Sequence, residues 1–208
     1  CTNDGGAGAA AALGAKFTRA DGAAFVPTGG TLGEIAALDV SPVAQALQGM
    51  ELTAMCDIDN PLYGDAGAAA VFAPQKGADA AMVARLDAGL RHVGQVAPRC
   101  LGRDFSHLPG AGAAGGLGFG MAAFCGAQLR MGIDAVLDAV GFDSLLPGTD
   151  MVFTGEGKID SQSARGKVVS GVAARCRKAG VPVVAVVGQI GQGFEEMYQQ
   201  GLTAVFSI

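Results

Sequence analysis

An α/β fold built on a parallel sheet is what this sequence of 208 residues predicts. Three observations carry that expectation. The second half alternates strand-like and helix-like segments. Residues 182–188, PVVAVVG, are apolar throughout, as in a parallel strand covered on both faces. Half of the residues are apolar and only 16% are charged, which supplies a sizeable core and excludes a disordered chain.

Taken in order, residues 7–15, AGAAAALGA, permit a helix that Asn3 or Asp4 can cap. The run TLGEIAALDV leads into Ser41-Pro42, a helix start with proline in its first turn, and that helix is expected to reach Leu47. Residues 50–58 read as a strand ending in Asp57-Ile58-Asp59-Asn60-Pro61. The clearest helix covers 79–97. There Met82, Val83, Leu86, Leu90, Val93 and Ala97 recur at three-to-four spacing, and Asp79 fits the N-cap. Residues 108–129 form a glycine loop feeding a small-residue helix. GIDAVLDAVGF is another helix, with Ile133, Val136, Leu137 and Val140 on one side. A strand at 151–154, a polar loop and a helix at 168–178 follow. The strand at 182–188, a helix at 194–200 and a last strand at 203–207 close the chain.

Composition narrows the function classes. The 34 glycines are not periodic, which excludes collagen, and their clusters suit tight turns or close backbone approach. A net charge of −5 without a basic cluster argues against nucleic acid as a partner. No apolar stretch reaches the roughly 18–20 residues a membrane span needs. The five scattered cysteines, without a C-x-x-C pair, read as reduced and buried in a cytoplasmic protein. The chain opens on Cys1-Thr2-Asn3 and closes on Ser207-Ile208 at the end of a strand-like run. The expectation is therefore a piece of a longer polypeptide.

The chemistry-bearing residues gather after strands. In sheets of this kind, ligands bind beyond the carboxyl ends of the strands. Asp57 and Asp59 follow one strand; Glu156 and Asp160 follow another, with Lys158, Arg165 and Lys167 close by. Such carboxylates hold Mg²⁺ or accept a proton from a substrate hydroxyl; for Asp57 and Asp59, turn formation is the alternative. Lys76, in a turn before the long helix, is either an anion contact or a solvated lysine. Gly110-x-Gly112-x-x-Gly115 has dinucleotide-fingerprint spacing but follows Phe105-Ser106-His107-Leu108-Pro109 rather than a strand, so that reading is rejected. The P-loop spacing and the protein-kinase signatures are missing. His92 and His107 lie too far apart in sequence to suggest a metal site or a triad.

The segments TNDGGAG (2–8), CDIDNPLYGDAGAAAVFAPQKGA (56–78), LPGAGAAGGLGFG (108–120), TGEGKIDSQSARGK (154–167) and GLTAVFSI (201–208) together resemble the bacterial type-1 glycerate kinase (glycerate 2-kinase) family. Lys158 stands where arginine is common in that family, and Ser163 where threonine is. The family's opening strand ending in Asp-Ser-Phe-Lys, the α/β units after it and its C-terminal helix have no counterpart in these residues. The resemblance implies a Rossmann-like parallel-sheet lobe and a second α/β lobe with the site in the cleft between them, one lobe being discontinuous in sequence. On that basis residues 1–107 are expected mostly in the second lobe and 108–208 mostly in the parallel-sheet lobe.

The activity implied is ATP- and Mg²⁺-dependent phosphorylation of D-glycerate to 2-phosphoglycerate. The 3-phospho product and a noncatalytic nucleotide- or small-acid-binding domain stand as alternatives. A second copy of the chain is left open as a partner. Asp160, Asp57, Asp59 and Lys158 are the expected catalytic residues, and Asp160 with Glu156 the metal ligands. Asn3, Asp4, Gly5, Gly6, Lys76, Gly155, Glu156, Gly157 and Lys167 are expected to contact substrate or nucleotide.

Overall fold

A computed structural model describes residues 2–161, 163 and 167–208. The chain divides into two compact units, Cys1–Arg130 and Met131–Ile208, so residues 108–130 pack with the first. The architecture is mixed α/β with parallel sheets.

The first unit runs through α1 (Ala7–Ala12), β1 (Lys16–Thr18), β2 (Ala24–Phe25), β3 (Ala37–Asp39), α2 (Ser41–Ala46), β4 (Thr53–Met55), α3 (Ala68–Phe72), α4 (Ala80–Leu101), α5 (Ala113–Cys125) and β5 (Gln128–Arg130). β1 pairs antiparallel with β2 and β3. The sequence reading lacks this small sheet, because strands of two or three residues are too short to show a period. β4 and β5 pair in parallel, Thr53 opposite Gln128 and Met55 opposite Arg130.

α4 starts as its sequence demands: the Asp79 carboxylate accepts from the Met82 amide at 2.8 Å. Leu90, Val93 and Ala97 are fully buried, while Met82 at the first turn is exposed. The helix passes Ala97 and ends at Leu101, where Gly102 takes a left-handed conformation. Phe124 meets Phe17 and Phe119 edge-on, with ring centroids 5.7 and 5.5 Å apart, and these rings join the α4 stripe in one core.

The second unit runs through α6 (Gly132–Ala139), α7 (Phe142–Leu145), β6 (Val152–Ile159), α8 (Val168–Ala179), β7 (Val183–Ile190), α9 (Glu196–Gln200) and β8 (Ala204–Ser207). Its three strands form a parallel sheet in the order β6-β7-β8. Two expectations change here. β6 does not stop at Thr154 but continues to Ile159. Its glycines weaken an isolated strand, yet pairing with the apolar β7 carries it on. In α6, Leu137 is buried and Ile133 packs on the same core, but Val136 and Val140 are exposed, so the buried stripe is narrower than four residues.

The sheet is not covered alike on both sides. Val183, Ala185 and Val187 are buried with α8 residues Val169, Val172 and Cys176. On the opposite face Phe153 is 69% and Phe206 60% exposed, with Val186 beside them. Arg175 on α8 ties α6 and α7 to this unit, meeting Asp138 at 2.7 Å, Asp143 at 2.8 Å and Asp134 at 3.2 Å.

The described cysteines are all free. Cys56 and Cys176 are buried and Cys125 is half-buried, but Cys100, near the end of α4, is exposed, against expectation. Cys1 lies outside the described residues. Among those residues no helix is long and apolar enough to cross a membrane.

Candidate functional site

In the first unit, three motif segments converge on one glycine-lined contact. The Gly5 amide donates to the Gly115 carbonyl at 3.2 Å, and the Gly112 amide donates to the Asn60 carbonyl at 2.9 Å. A β-carbon on Gly112 would overlap the Pro61 carbonyl, and one on Gly115 the Thr2 carbonyl. One on Gly120 would stand 2.7 Å from the Gly5 carbonyl oxygen. The approach needs a left-handed turn at Ala114, Gly115 and Gly116, with φ of 52°, 73° and 87°. Ala114 is the one non-glycine with positive φ among the described residues. Regular α5 helix therefore begins after this turn.

This contact sets the environment of the expected residues. Gly5 and Gly6 are buried, their backbone turned against α5. The Asp4 carboxylate accepts from the amides of Gly6 at 3.0 Å and Gly8 at 3.1 Å, so it reaches the first turn of α1, although the N-cap position is Gly6 rather than the expected Asn3 or Asp4. Asn3 is half-buried, and its Nδ2 is fully buried with no hydrogen-bond partner. Asp57 and Asp59 are exposed just beyond the carboxyl end of β4. The neighbouring Cys56 thiol is pushed up by burial and then by the Asp57 charge. Asn60 is anchored by Nδ2 donating to the Ala66 carbonyl at 2.8 Å. Lys76 is exposed at the end of a 3₁₀ turn, Pro74–Lys76. His92 is structural, its Nε2 2.7 Å from the Ile35 carbonyl oxygen, and His107 stacks edge-on with Tyr63.

In the second unit the expected residues occupy the end of β6. Strands β6 and β7 pair as far as Ile159 opposite Ile190, whereas β8 ends with Ser207 opposite Val187. Lys158 and Asp160 sit at the carboxyl end of β6, beyond the level of the β8 pairing. Lys158 Nζ lies 3.0 Å from Asp160 Oδ2, with the side chains 53% and 22% exposed. Ser163 is fully buried behind them. Its Oγ accepts from the Asp160 amide at 3.2 Å and is 3.4 Å from the Lys158 carbonyl oxygen, to which it donates. Lys167 is exposed at the N-cap of α8, its carbonyl accepting from the Gly171 amide at 3.0 Å. Arg165 lies outside the described residues.

Glu156 differs from the others. It lies within β6, opposite Val187, on the helix-covered face, and its Oε1 is buried without a partner. Four residues of strand place its α-carbon about 13 Å from that of Asp160. Among the described residues no group of three or more His, Cys, Asp or Glu side chains gathers to hold a metal. A β-carbon on Gly155 would overlap the Val186 carbonyl, whereas one on Gly157 would meet nothing within 4 Å.

The sequence reading passed over Ser163 as a structural bridge and Gly191 and Gly193 as contacts of Lys158, Asp160 and Ser161. The signal was present in Gly188-Gln189-Ile190-Gly191-Gln192-Gly193, a glycine series where an apolar strand ends.

Residues 1–208 match the model of the glycerate kinase family. The chain is 45% identical over 207 residues to a glycerate kinase of Halalkalibacterium halodurans and 42% identical to the glycerate 2-kinase of Escherichia coli K12. In both comparisons it covers 100% of itself and 54% of the relative. A crystal structure described as a glycerate kinase 2 from Salmonella typhimurium LT2 superposes with a TM-score of 0.81 at 43% identity, covering 99% of this chain and 53% of that one. The chain thus spans about half the length of the curated relatives it matches.

Proposed function

The chain belongs to the glycerate kinase family, and from that premise we propose that the full-length polypeptide carrying it transfers the γ-phosphoryl group of ATP to D-glycerate, giving 2-phosphoglycerate and ADP. The observation that carries this reading is the Lys158–Asp160 pair at the carboxyl end of β6, where parallel α/β sheets present their ligand sites.

Phosphoryl transfer asks a protein for positioning and charge neutralisation rather than covalent chemistry. The substrate hydroxyl oxygen bonds to the γ-phosphorus as the bond to the bridging oxygen breaks. ADP leaves with that electron pair, and the hydroxyl proton passes to a carboxylate. Lys158 and Lys167 offset phosphate charge as point cations. Mg²⁺ prefers one or two carboxylates with water and phosphate oxygens completing its shell. Asp160, at the strand end, fits that donor set, and Glu156, inside the strand, does not. Bound with the nucleotide, Mg²⁺ would neutralise charge on the transferring phosphate.

Within the first unit, Asp57 with Asp59 beside it is the carboxylate pair we assign to catalysis. Asn3 is the polar contact we assign to the acid substrate, since the Asp4 carboxylate and the Gly5-Gly6 backbone serve the turn. Glu156 and Lys76 are left with supporting parts, the first in the sheet and the second as a surface cation. The expected setting is the cytoplasm, where ATP and small hydroxy acids meet.

Phosphorus NMR of the full-length polypeptide with Mg-ATP and D-glycerate tests the reading. The expected product is 2-phosphoglycerate. A signal from 3-phosphoglycerate would keep the family activity and move the acceptor hydroxyl. ATP binding without any phosphoglycerate would leave a noncatalytic binding domain.

A further inference from the structure

We infer that Gly191, just past β7, is a positioning residue that sets the Lys158–Asp160 pair, an inference that rests on the phosphoryl-transfer reading above. The ladder between β6 and β7 does not end with its last strand pair. The Gly191 amide donates to the Ile159 carbonyl at 2.7 Å, and the Ser161 amide donates to the Gln192 carbonyl at 3.1 Å. These bonds hold the two departing chains together for one more step, with Gly191 beside Asp160.

A β-carbon built on Gly191 would stand 2.9 Å from Asp160 Cβ and 3.0 Å from Lys158 Cε. The two side chains straddle the place where any other residue would begin its own, and their charged ends meet at 3.0 Å. The Lys158 chain can swing aside from an added methyl group. The Asp160 β-carbon cannot move without its backbone, so the pair would part. Gly191 is not among the positive-φ glycines, so contact alone excludes a side chain there. Gly193 repeats the pattern one step on, where a β-carbon would stand 2.9 Å from Ser161 Cβ.

An ion pair this exposed contributes little to stability. The ladder bonds bring the backbones together, but the pair's own contribution to folding does not account for its spacing. Presenting an ammonium and a carboxylate at a fixed spacing to an incoming phosphate does. Ser163 Oγ holds the backbone of the pair from behind, and the bare Cα of Gly191 is its floor.

The test is a double-mutant cycle in the full-length polypeptide: wild type, Gly191→Ala, Asp160→Asn and the double variant. kcat and KM for ATP and D-glycerate are measured with circular dichroism and thermal melts. Gly191→Ala is expected to lower kcat by at least about tenfold while the fold is retained. Once Asp160→Asn has removed the charge, adding Gly191→Ala is expected to cost less than about twofold more. Where Asp160→Asn abolishes turnover, the same cycle is read in the Kd for ATP. A Gly191→Ala variant as active as wild type overturns the inference and leaves the phosphoryl-transfer reading intact. So does an equal fold-loss in both backgrounds, or an unfolded Gly191→Ala variant, because Gly191 would then act through the fold. A wild type that makes no phosphoglycerate overturns the reading itself.

Discussion

The backbone amide of Gly112 donates to the carbonyl of Asn60 at 2.9 Å, and this bond sets the turn carrying Asp57 and Asp59 against the left-handed turn that opens α5. No side chain fits at the junction, because a β-carbon on Gly112 would overlap the Pro61 carbonyl.

Gly112→Ala is therefore expected to destabilise the first unit by about 2–4 kcal/mol, the range of severe overpacking. Urea denaturation measures it. Gly33→Ala, where a β-carbon meets nothing within 4 Å, is the matched control and is expected to stay within about 0.5 kcal/mol of wild type.

Arg175 gathers three aspartates from α6 and α7. Hydrogen bonds from Asp138 first, then Asp143 and Asp134, push its guanidinium further up from its already high value, so it stays charged at any working pH. Arg175→Ala is expected to cost about 1–2 kcal/mol, since the aspartates it would abandon are partly in water. Thermal melts at low and high salt should show the loss shrinking as salt rises.

How much of this was legible in the sequence depends on what each residue type can signal. The α4 stripe, the Asp79 cap and the apolar β7 carry strong periodic or cap signals; the cap and the later part of the stripe take their expected form, whereas β7, expected to be covered on both faces, is buried at Val183, Ala185 and Val187 and exposed at Val186. Glycine carries no such signal. The same residue type lines a ligand, closes a turn or admits a neighbouring backbone, and the sequence gives no sign that Gly5 and Gly6 pack on α5. β6 ran past its expected end because pairing with β7 outweighs the poor strand propensity of Gly155 and Gly157. Val136 and Val140 fit a helical stripe by spacing, yet α6 buries only the Ile133–Leu137 side. The acidic and basic residues at the end of β6 were legible as a group. Their spacing was not, since Ser163 and Gly191 reach them from outside the local pattern.

Two carboxylates give the acid limb of the stability profile. The Ser41 amide, 2.9 Å from Asp39 Oδ1, is the main cause holding that carboxyl below its ordinary value of 3.8. For Asp104, burial pushes upward, but the bonds from Ser106 and the His107 charge together outweigh it and the net shift is downward. A carboxyl lowered by folding stabilises above its unfolded value and loses that contribution as pH falls through the folded one. Stability from these two groups is expected to be level from neutral pH to about pH 5 and to decline below it. Urea melts across that range should show Asp39→Asn and Asp104→Asn each flattening the decline.

Thiol chemistry separates the cysteines. Burial pushes the thiols of Cys56, Cys125 and Cys176 up, so they stay protonated and shielded at neutral pH. Among the described cysteines Cys100 is the exposed one. Alkylation of the native protein followed by peptide mass mapping should mark Cys100 before the other three. Equal labelling of Cys56 and Cys176 in the folded state would contradict their burial.

The central claim, that phosphoryl transfer occurs at the end of β6, is tested most directly by the turnover of Asp160→Asn in the full-length polypeptide. The substitution keeps the side chain's shape and removes its charge. The expected result is a kcat at least about a hundredfold below wild type, with the circular dichroism spectrum and melting temperature unchanged. A folded Asp160→Asn variant turning over within about threefold of wild type would place the chemistry elsewhere in the molecule.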